Sequence, residues 1–254
     1  MTAVNRSVIL TWTSSLSIIA VILWNYFANS GGVYNLSIKD ISDKYTNLFT
    51  PAGFTFAIWG VIYIGMMAVA VAQIIRPKLF PLDSRKWSVL LIVQSVFNGL
   101  WINFFLLDMP SIALITIVLL LASLLILLRQ IQFEEQVSSW VKIVIGLYAG
   151  WVSAATIANA AVACTAIEWV PFALDPVIWY KIMIVTTGLL GILVFSKWRN
   201  LAYIFALAWA LFGIAMARSN ETILFQFASI ASIAMLITCL AIKLRGWQKT
   251  KQLS

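Results

Sequence analysis

The chain has 254 residues, 62% of them hydrophobic and only 10% charged, with seventeen basic and nine acidic side chains and no histidine. Soluble domains run at about half apolar and a quarter charged, so this composition is that of an integral membrane protein. The missing histidine removes His-ligated haem, the usual zinc and di-iron sites and His-based acid–base catalysis, while the net charge of +8 is scattered over loops, which argues against nucleic-acid binding.

Stretches of about 20 apolar residues give eight candidate spans: 8–28, 52–75, 89–107, 111–128, 143–166, 182–195, 201–217 and 223–242, the sixth being the shortest. Strong apolar runs without period-two alternation predict an all-α bundle rather than a barrel. Arg6 followed by an apolar run from Val8 has the outline of a signal peptide, but the run is long and lacks a small-x-small cleavage site after it, so it counts as the first span. The connection 29–49 follows, holding Gly31, Gly32, two Asp, two Lys and Tyr45. Its length makes it a candidate lid, with an ordinary flexible surface loop as the alternative.

At the second span Thr50 is a candidate N-cap and Pro51 suits the first helical position, so a helix is expected to start near Pro51. From there Phe56, Trp59 and Tyr63 fall at i, i+3 and i+7 on one face, and Gly53, Ala57 and Gly60 form a small-residue stripe that permits close packing. The loop 76–86 carries Pro77 and Pro81. In the third span Gln94, Asn98, Trp101 and Phe105 recur at i, i+4, i+7 and i+11, again one face. The turn 107–110 is so short that spans three and four must be antiparallel neighbours. In the fifth span Tyr148, Trp151, Ala155 and Asn159 follow i, i+3, i+7 and i+11.

If those three faces converge, they line a cavity of flat apolar walls with a few amide and hydroxyl groups, suited to a planar, largely hydrophobic ligand. The alternative for Gln94, Asn98 and Asn159 is hydrogen bonding between helices. Trp12, Trp24, Trp87, Trp140, Trp169, Trp179, Trp198 and Trp247 lie toward span ends, where indoles form interfacial belts. Cys164 and Cys239 fall inside spans as small packing residues.

With a cytoplasmic N-terminus, thirteen of the seventeen basic residues lie on the cytoplasmic side and only Lys39, Lys44, Lys181 and Arg218 lie outside. This asymmetry predicts that both termini are cytoplasmic, in a plasma-membrane protein. No Asp, Glu, Lys or Arg stands near the middle of any span, so a side-chain proton relay or ion pump has no support. The residues nominate no catalytic group and no metal ligand, and the reading leans away from an enzyme.

Three blocks of this sequence resemble the tryptophan-rich sensory protein, or translocator protein, family (TspO/MBR). They are Pro51-x-Gly53-x-x-Phe56 with Trp59-x-x-x-Tyr63; Gln94-x-x-x-Asn98-x-x-Trp101-x-x-x-Phe105 followed by a short loop and Pro110-x-x-Ala113-Leu114; and Tyr148-x-x-Trp151-Val152-Ser153 with Asn159. The resemblance covers about the first 165 residues. It implies a five-helix membrane bundle, frequently dimeric, whose first inter-helix loop covers a pocket. The expected organisation is therefore a TspO-like five-helix domain over 1–175 and an additional three-helix extension over 176–254 with a basic cytoplasmic tail.

Membership implies binding of porphyrins and related tetrapyrroles, with sterols and benzodiazepine-type drugs as ligands in some members. Sensory, transport and porphyrin-degrading roles are all attributed to the family. Carried over by position, the pocket involves Trp59, Tyr63, Asn98, Trp101, Phe105, Trp151, Ala155 and Asn159; the facing residues Phe56, Gln94 and Tyr148 complete the set. The leading expectation is a binding or sensory protein for a flat hydrophobic molecule such as a tetrapyrrole, with no nucleic-acid partner and no resident cofactor. A transporter of a neutral or amphipathic solute and a porphyrin-degrading enzyme are the alternatives. The chain also departs from the pattern. It is one residue shorter between Phe56 and Trp59 and lacks the mid-helix Pro there; Ile102 and Asn103 stand where Pro is common, and Thr116 where an acid is common. Ala160 and Ala163 replace a Tyr and a Trp, removing the aromatic core of the sterol-recognition segment.

Overall fold

In a bilayer the backbone must satisfy its own hydrogen bonds, and among the described residues the apolar runs do so as helices, with no strand. The structure, a computed structural model, describes residues 3–31, 33–81, 84–169 and 173–253. Gly32 and the side chains of Arg6, Trp247, Lys249 and Lys251 lie outside the described residues. The helices are α1 (Ala3–Asn29), α2 (Ile38–Lys44), α3 (Ile58–Ile75), α4 (Ser84–Leu106), α5 (Pro110–Gln132), α6 (Ser139–Ala166), α7 (Pro176–Trp198), α8 (Leu201–Ala217) and α9 (Thr222–Leu253). Apart from α2, all are apolar and seven are long enough to cross a membrane; α8, with 17 residues, is the shorter one.

Around the first bundle α3 packs on α1, α1 on α4, α4 on α5 and α5 on α6, and α3 touches α6 to close the ring. On the other side of α6 lies α8, against which α7 and α9 pack. The turn between α4 and α5 has Asp108 in the left-handed region at φ 59°, and the Met109 N–H donates to the Phe104 carbonyl at 2.9 Å. The two helices are antiparallel neighbours, as the short turn requires.

Three local expectations are corrected. The sixth span is not the shortest: α7 has 23 residues and begins at Pro176, with Asp175 capping it by accepting from the Val177 N–H at 2.8 Å. Trp179, Tyr180 and Lys181 lower the local hydropathy and hide that start from a scan for apolar residues. Nor does Thr50 cap the second span. A 3₁₀ turn covers Gly53–Ala57, its N-cap Ala52 makes no side-chain bond, and the Thr50 Oγ1 is buried without a partner. The Ala52 N–H instead donates to the Gly213 carbonyl of α8 at 3.0 Å, a tertiary partner that no local capping rule can anticipate.

The third correction concerns the small residues. Gly53, Ala57 and Gly60 are exposed, and a Cβ on Gly60 would have nothing within 4 Å. The close helix approach uses Gly146 and Gly150 of α6, a small-xxx-small pair. A Cβ on Gly150 would collide with the Tyr203 carbonyl and lie 2.9 Å from the Ala206 Cβ, and one on Gly146 would collide with the Asn200 side chain. Asn200 is fixed there: its Oδ1 accepts from the Tyr203 N–H at 3.0 Å to cap α8, and its Nδ2 donates to Gln132 Oε1 and to the Lys142 carbonyl, both at 2.9 Å. One turn further on, Ser153 Oγ and Tyr203 Oη share a hydrogen bond of 2.7 Å.

These two glycine environments predict opposite outcomes for one substitution. Gly150→Ala should lower the thermal midpoint of the detergent-solubilised protein by an overpacking cost of about 1–3 kcal/mol. Gly60→Ala should leave it unchanged or raise it, since alanine gains up to about 1 kcal/mol of helix propensity. Equal midpoints for the two variants would contradict the assigned α6–α8 contact.

Candidate functional site

The connection between α1 and α3 folds over one end of the bundle. Its helix α2 starts with a capping box, in which Ser37 accepts from the Asp40 N–H and Asp40 accepts from the Ser37 N–H. Ile38 and Ile41 of α2 and Phe49 beyond it are buried. The segment is tied down at three places: the Ile38 N–H donates to Asn29 Oδ1 at 2.8 Å, the Tyr34 hydroxyl to Asn103, and Lys44 and the Tyr45 hydroxyl both reach Asp108. The Lys44 ammonium holds the Asp108 carboxyl below its usual 3.8, burial opposing and Tyr45 assisting, and Asp108 raises Lys44 above 10.5 in turn.

Beneath this lid is a cavity of about 50 Å³. Its roof is Ile38, Ser42, Phe49, Thr50 and Pro51; its walls include Phe56 and Trp59 ahead of and on α3, Trp101 and Phe105 of α4, and Trp151, Ala155 and Asn159 of α6. The three aromatic faces therefore meet. Trp59 stacks on Trp101 at 5.5 Å between ring centroids and on Tyr63 at 5.3 Å, and stands edge-on to Trp151 at 6.2 Å and Tyr148 at 6.0 Å. Phe56 also meets Trp151 edge-on at 6.2 Å, and Trp101 lies 5.8 Å from Phe105. Such pairs contribute about 0.5–1.5 kcal/mol each beyond their burial.

Trp59 reaches this position through the 3₁₀ turn. The turn ends at Ala57, and Trp59 is the second residue of α3. The turn is seated on α8: the Trp209 Nε1–H donates to the Thr55 carbonyl at 2.9 Å, Phe54 meets Trp209 and Phe212 edge-on at 5.7 and 6.0 Å, and a Cβ on Gly213 would collide with Thr55.

The nominated residues separate into three groups. Phe56, Trp59, Trp101, Phe105, Trp151, Ala155 and Asn159 line the cavity. Tyr63 lines a neighbouring groove of about 460 Å³ between α1 and α3, which shares Ile38, Phe56 and Trp59 with the cavity. Gln94, Asn98 and Tyr148 line neither: Asn98 and Tyr148 brace neighbouring helices, and Gln94 bonds within α4. Asn98 accepts from Asn25 of α1 and donates to the Tyr148 hydroxyl, both at 2.6 Å, while the Gln94 amide donates to the Leu91 carbonyl and to Ser95 Oγ. Asn159 has both roles: it faces the cavity, accepts from Trp101 Nε1 at 3.1 Å and donates to the Ala155 carbonyl at 2.8 Å.

The sequence reading missed Ala154, Ala158 and Val162 of α6, which continue the helical spacing of the Trp151 face, and Ala210 and Ile214 of α8. No periodicity in α8 marks those two, because its inward face is defined only by Gly146 and Gly150 opposite. The cavity carries no charged side chain. Two polar atoms of its lining residues, Trp151 Nε1 and Thr50 Oγ1, are buried without a partner. Among the described residues no cluster of His, Cys, Asp and Glu could hold a metal.

A lidded, tryptophan-lined cavity inside a bundle of helices long and apolar enough to cross a membrane belongs to a multi-pass membrane protein. The sequence pattern of TSPO-like proteins matches residues 11–242, and the chain belongs to that family. The match runs past residue 165 and takes in α7, α8 and most of α9. No curated protein and no solved structure matches the chain.

The latch on the lid has a defined pH range. A carboxyl whose folded pKa is depressed contributes above its free value and is lost as pH falls through the folded one, so Asp108 holds Lys44 down to below about pH 4. Lys44, raised, stays charged past about pH 10. Hydrogen–deuterium exchange over residues 38–44, corrected for intrinsic rates, should be flat from about pH 5 to 9 in the wild type and faster throughout in Asp108→Asn. A lid that loosens near pH 6 would show that another group holds it.

Proposed function

We propose that this protein is a membrane binding or sensory protein for a flat hydrophobic small molecule, a porphyrin or related tetrapyrrole fitting best. The observation that carries the reading is the uncharged cavity walled by the Trp59, Trp101 and Trp151 indoles and roofed by a tied-down lid. Indole faces stack on a planar π-system, and Trp151 Nε1 and Thr50 Oγ1 offer hydrogen bonds that the protein itself leaves unmade. Pairing such a buried donor recovers about 1–3 kcal/mol.

At about 50 Å³ the cavity holds a few waters, far below the roughly 300–1,000 Å³ of a pocket for a drug-sized ligand. Binding therefore includes lifting of the lid and separation of the aromatic wall. Carboxylates of a tetrapyrrole would point outward, toward Lys39 and Lys44 on the lid, which now pair with Asp43 and Asp108. The site belongs to a five-helix unit over 1–175, with the helices of 176–254 as an extension that supplies one wall through Ala210 and Ile214. Cytoplasmic termini in the plasma membrane, and pairing of two copies, complete the proposal; the basic residues of the loops support the orientation.

A second reading, transport of a neutral or amphipathic solute, draws on the groove beyond Trp59 and Phe56, which makes those two rings a partition between two compartments. Flux into proteoliposomes separates transport from simple binding. For the leading reading, titration with protoporphyrin should give saturable quenching of tryptophan fluorescence, weakened at least tenfold, about 1.4 kcal/mol, in Trp101→Ala combined with Trp151→Ala. Absence of saturation in the wild type would overturn it.

A further inference from the structure

A second hollow lies at the lid end of the molecule, away from the aromatic wall. It encloses about 520 Å³ between the end of the lid at Leu48, the last turns of α6 at Ala161 and Cys164, the start of α7 at Trp179 and Met183, and Arg218 just after α8. Leu48, Ala161, Leu174 and Met183 make its surface mainly apolar. Trp169 and Trp179 stand at its edge, at the ends of spans, where indoles sit at the level of lipid headgroups.

Arg218 is the one cation of this lining. Its side chain is only 17% exposed, and among the described residues its hydrogen-bond partner is Glu221, through one terminal nitrogen at 3.2 Å. Its Nε–H is buried with no partner. Leaving a guanidinium donor buried and unpaired costs free energy that an anionic oxygen would recover, and the planar fork of Arg suits a phosphate. Glu168, also in the lining, adds a carboxylate that disfavours a multiply charged anion and can accept from the ammonium of a zwitterionic headgroup.

We infer that this groove holds one phospholipid of the outer leaflet, an acyl chain along the Leu48, Ala161 and Met183 surface and its phosphate on Arg218. The volume, the apolar lining, the interfacial tryptophans and a half-satisfied buried cation at one end are complementary to an amphipathic phosphate and to no part of a neutral planar ligand. The site is separate from the central cavity. Its occupant would lie against Thr46, Asn47 and Leu48, and so brace the end of the lid that continues into Phe49.

Cys164 lines the groove half-buried and provides an internal reporter, with the buried Cys239 as reference. With the full chain in a neutral maltoside detergent, alkylation of Cys164 by N-ethylmaleimide is followed by mass spectrometry while dodecyl phosphate, dodecanoate or dodecanol is titrated. Dodecyl phosphate should slow alkylation saturably, by tenfold or more, with dodecanol ineffective at the same concentration. Arg218→Gln should shift the dodecyl phosphate midpoint upward at least tenfold, and Arg218→Lys should restore most of the protection, which separates loss of charge from loss of fold. Equal protection by dodecanol, protection by dodecanoate better than by the phosphate, or an unchanged midpoint in a folded Arg218→Gln would each overturn the assignment.

Discussion

The close approach of α8 to α6 is the contact on which the rest of the site depends. Gly146 and Gly150 bring the backbones so near that Tyr203 and Asn200 occupy the space a side chain would need. In lipid there is no hydrophobic force to press two apolar helices together, so packing, backbone proximity and a few hydrogen bonds must hold them. The Asn200 amide and the Ser153 to Tyr203 hydroxyl pair supply those bonds at the start of α8. Farther along the same helix, Ala210 and Ile214 become cavity wall and Gly213 receives the 3₁₀ turn that aims Trp59. A helix that the apolar scan counts as one more span is thus a structural support of the pocket.

Polar groups within the bundle divide between bracing and exposure to the cavity. Asn25, Asn98 and Tyr148 join α1, α4 and α6 in one chain of hydrogen bonds. Ser14, Ser15 and Gln73 with the Trp87 indole form a second such brace between α1, α3 and α4. What the cavity keeps free is smaller: one indole N–H and one threonine hydroxyl. An apolar pocket with few unsatisfied groups discriminates by shape and stacking more than by charge.

The described ion pairs lie at the lid end of the bundle, where Lys39, Lys44 and Arg218 each find an acid. Exposed pairs of this kind contribute little to stability. Lys44 with Asp108 nevertheless joins the lid to the α4–α5 turn, at the one residue that turn places in the left-handed region. The lid is therefore both packed, through Ile38, Ile41 and Phe49, and tethered.

Sequence alone determined what periodicity and composition control: membrane class, helices for all the long apolar runs, the antiparallel α4–α5 turn, and the aromatic faces of α3, α4 and α6, whose residues mostly line the cavity. These follow from local spacing and from the bilayer's demand for satisfied backbone. Tertiary structure decided which polar residues brace and which face the cavity, because Asn98 and Asn159 differ only in their neighbours. It also decided how α3 begins, since the Ala52 N–H is satisfied by Gly213 rather than by Thr50. And it gave α8 its place, because Gly146 and Gly150 specify a close contact without naming the helix that will fill it.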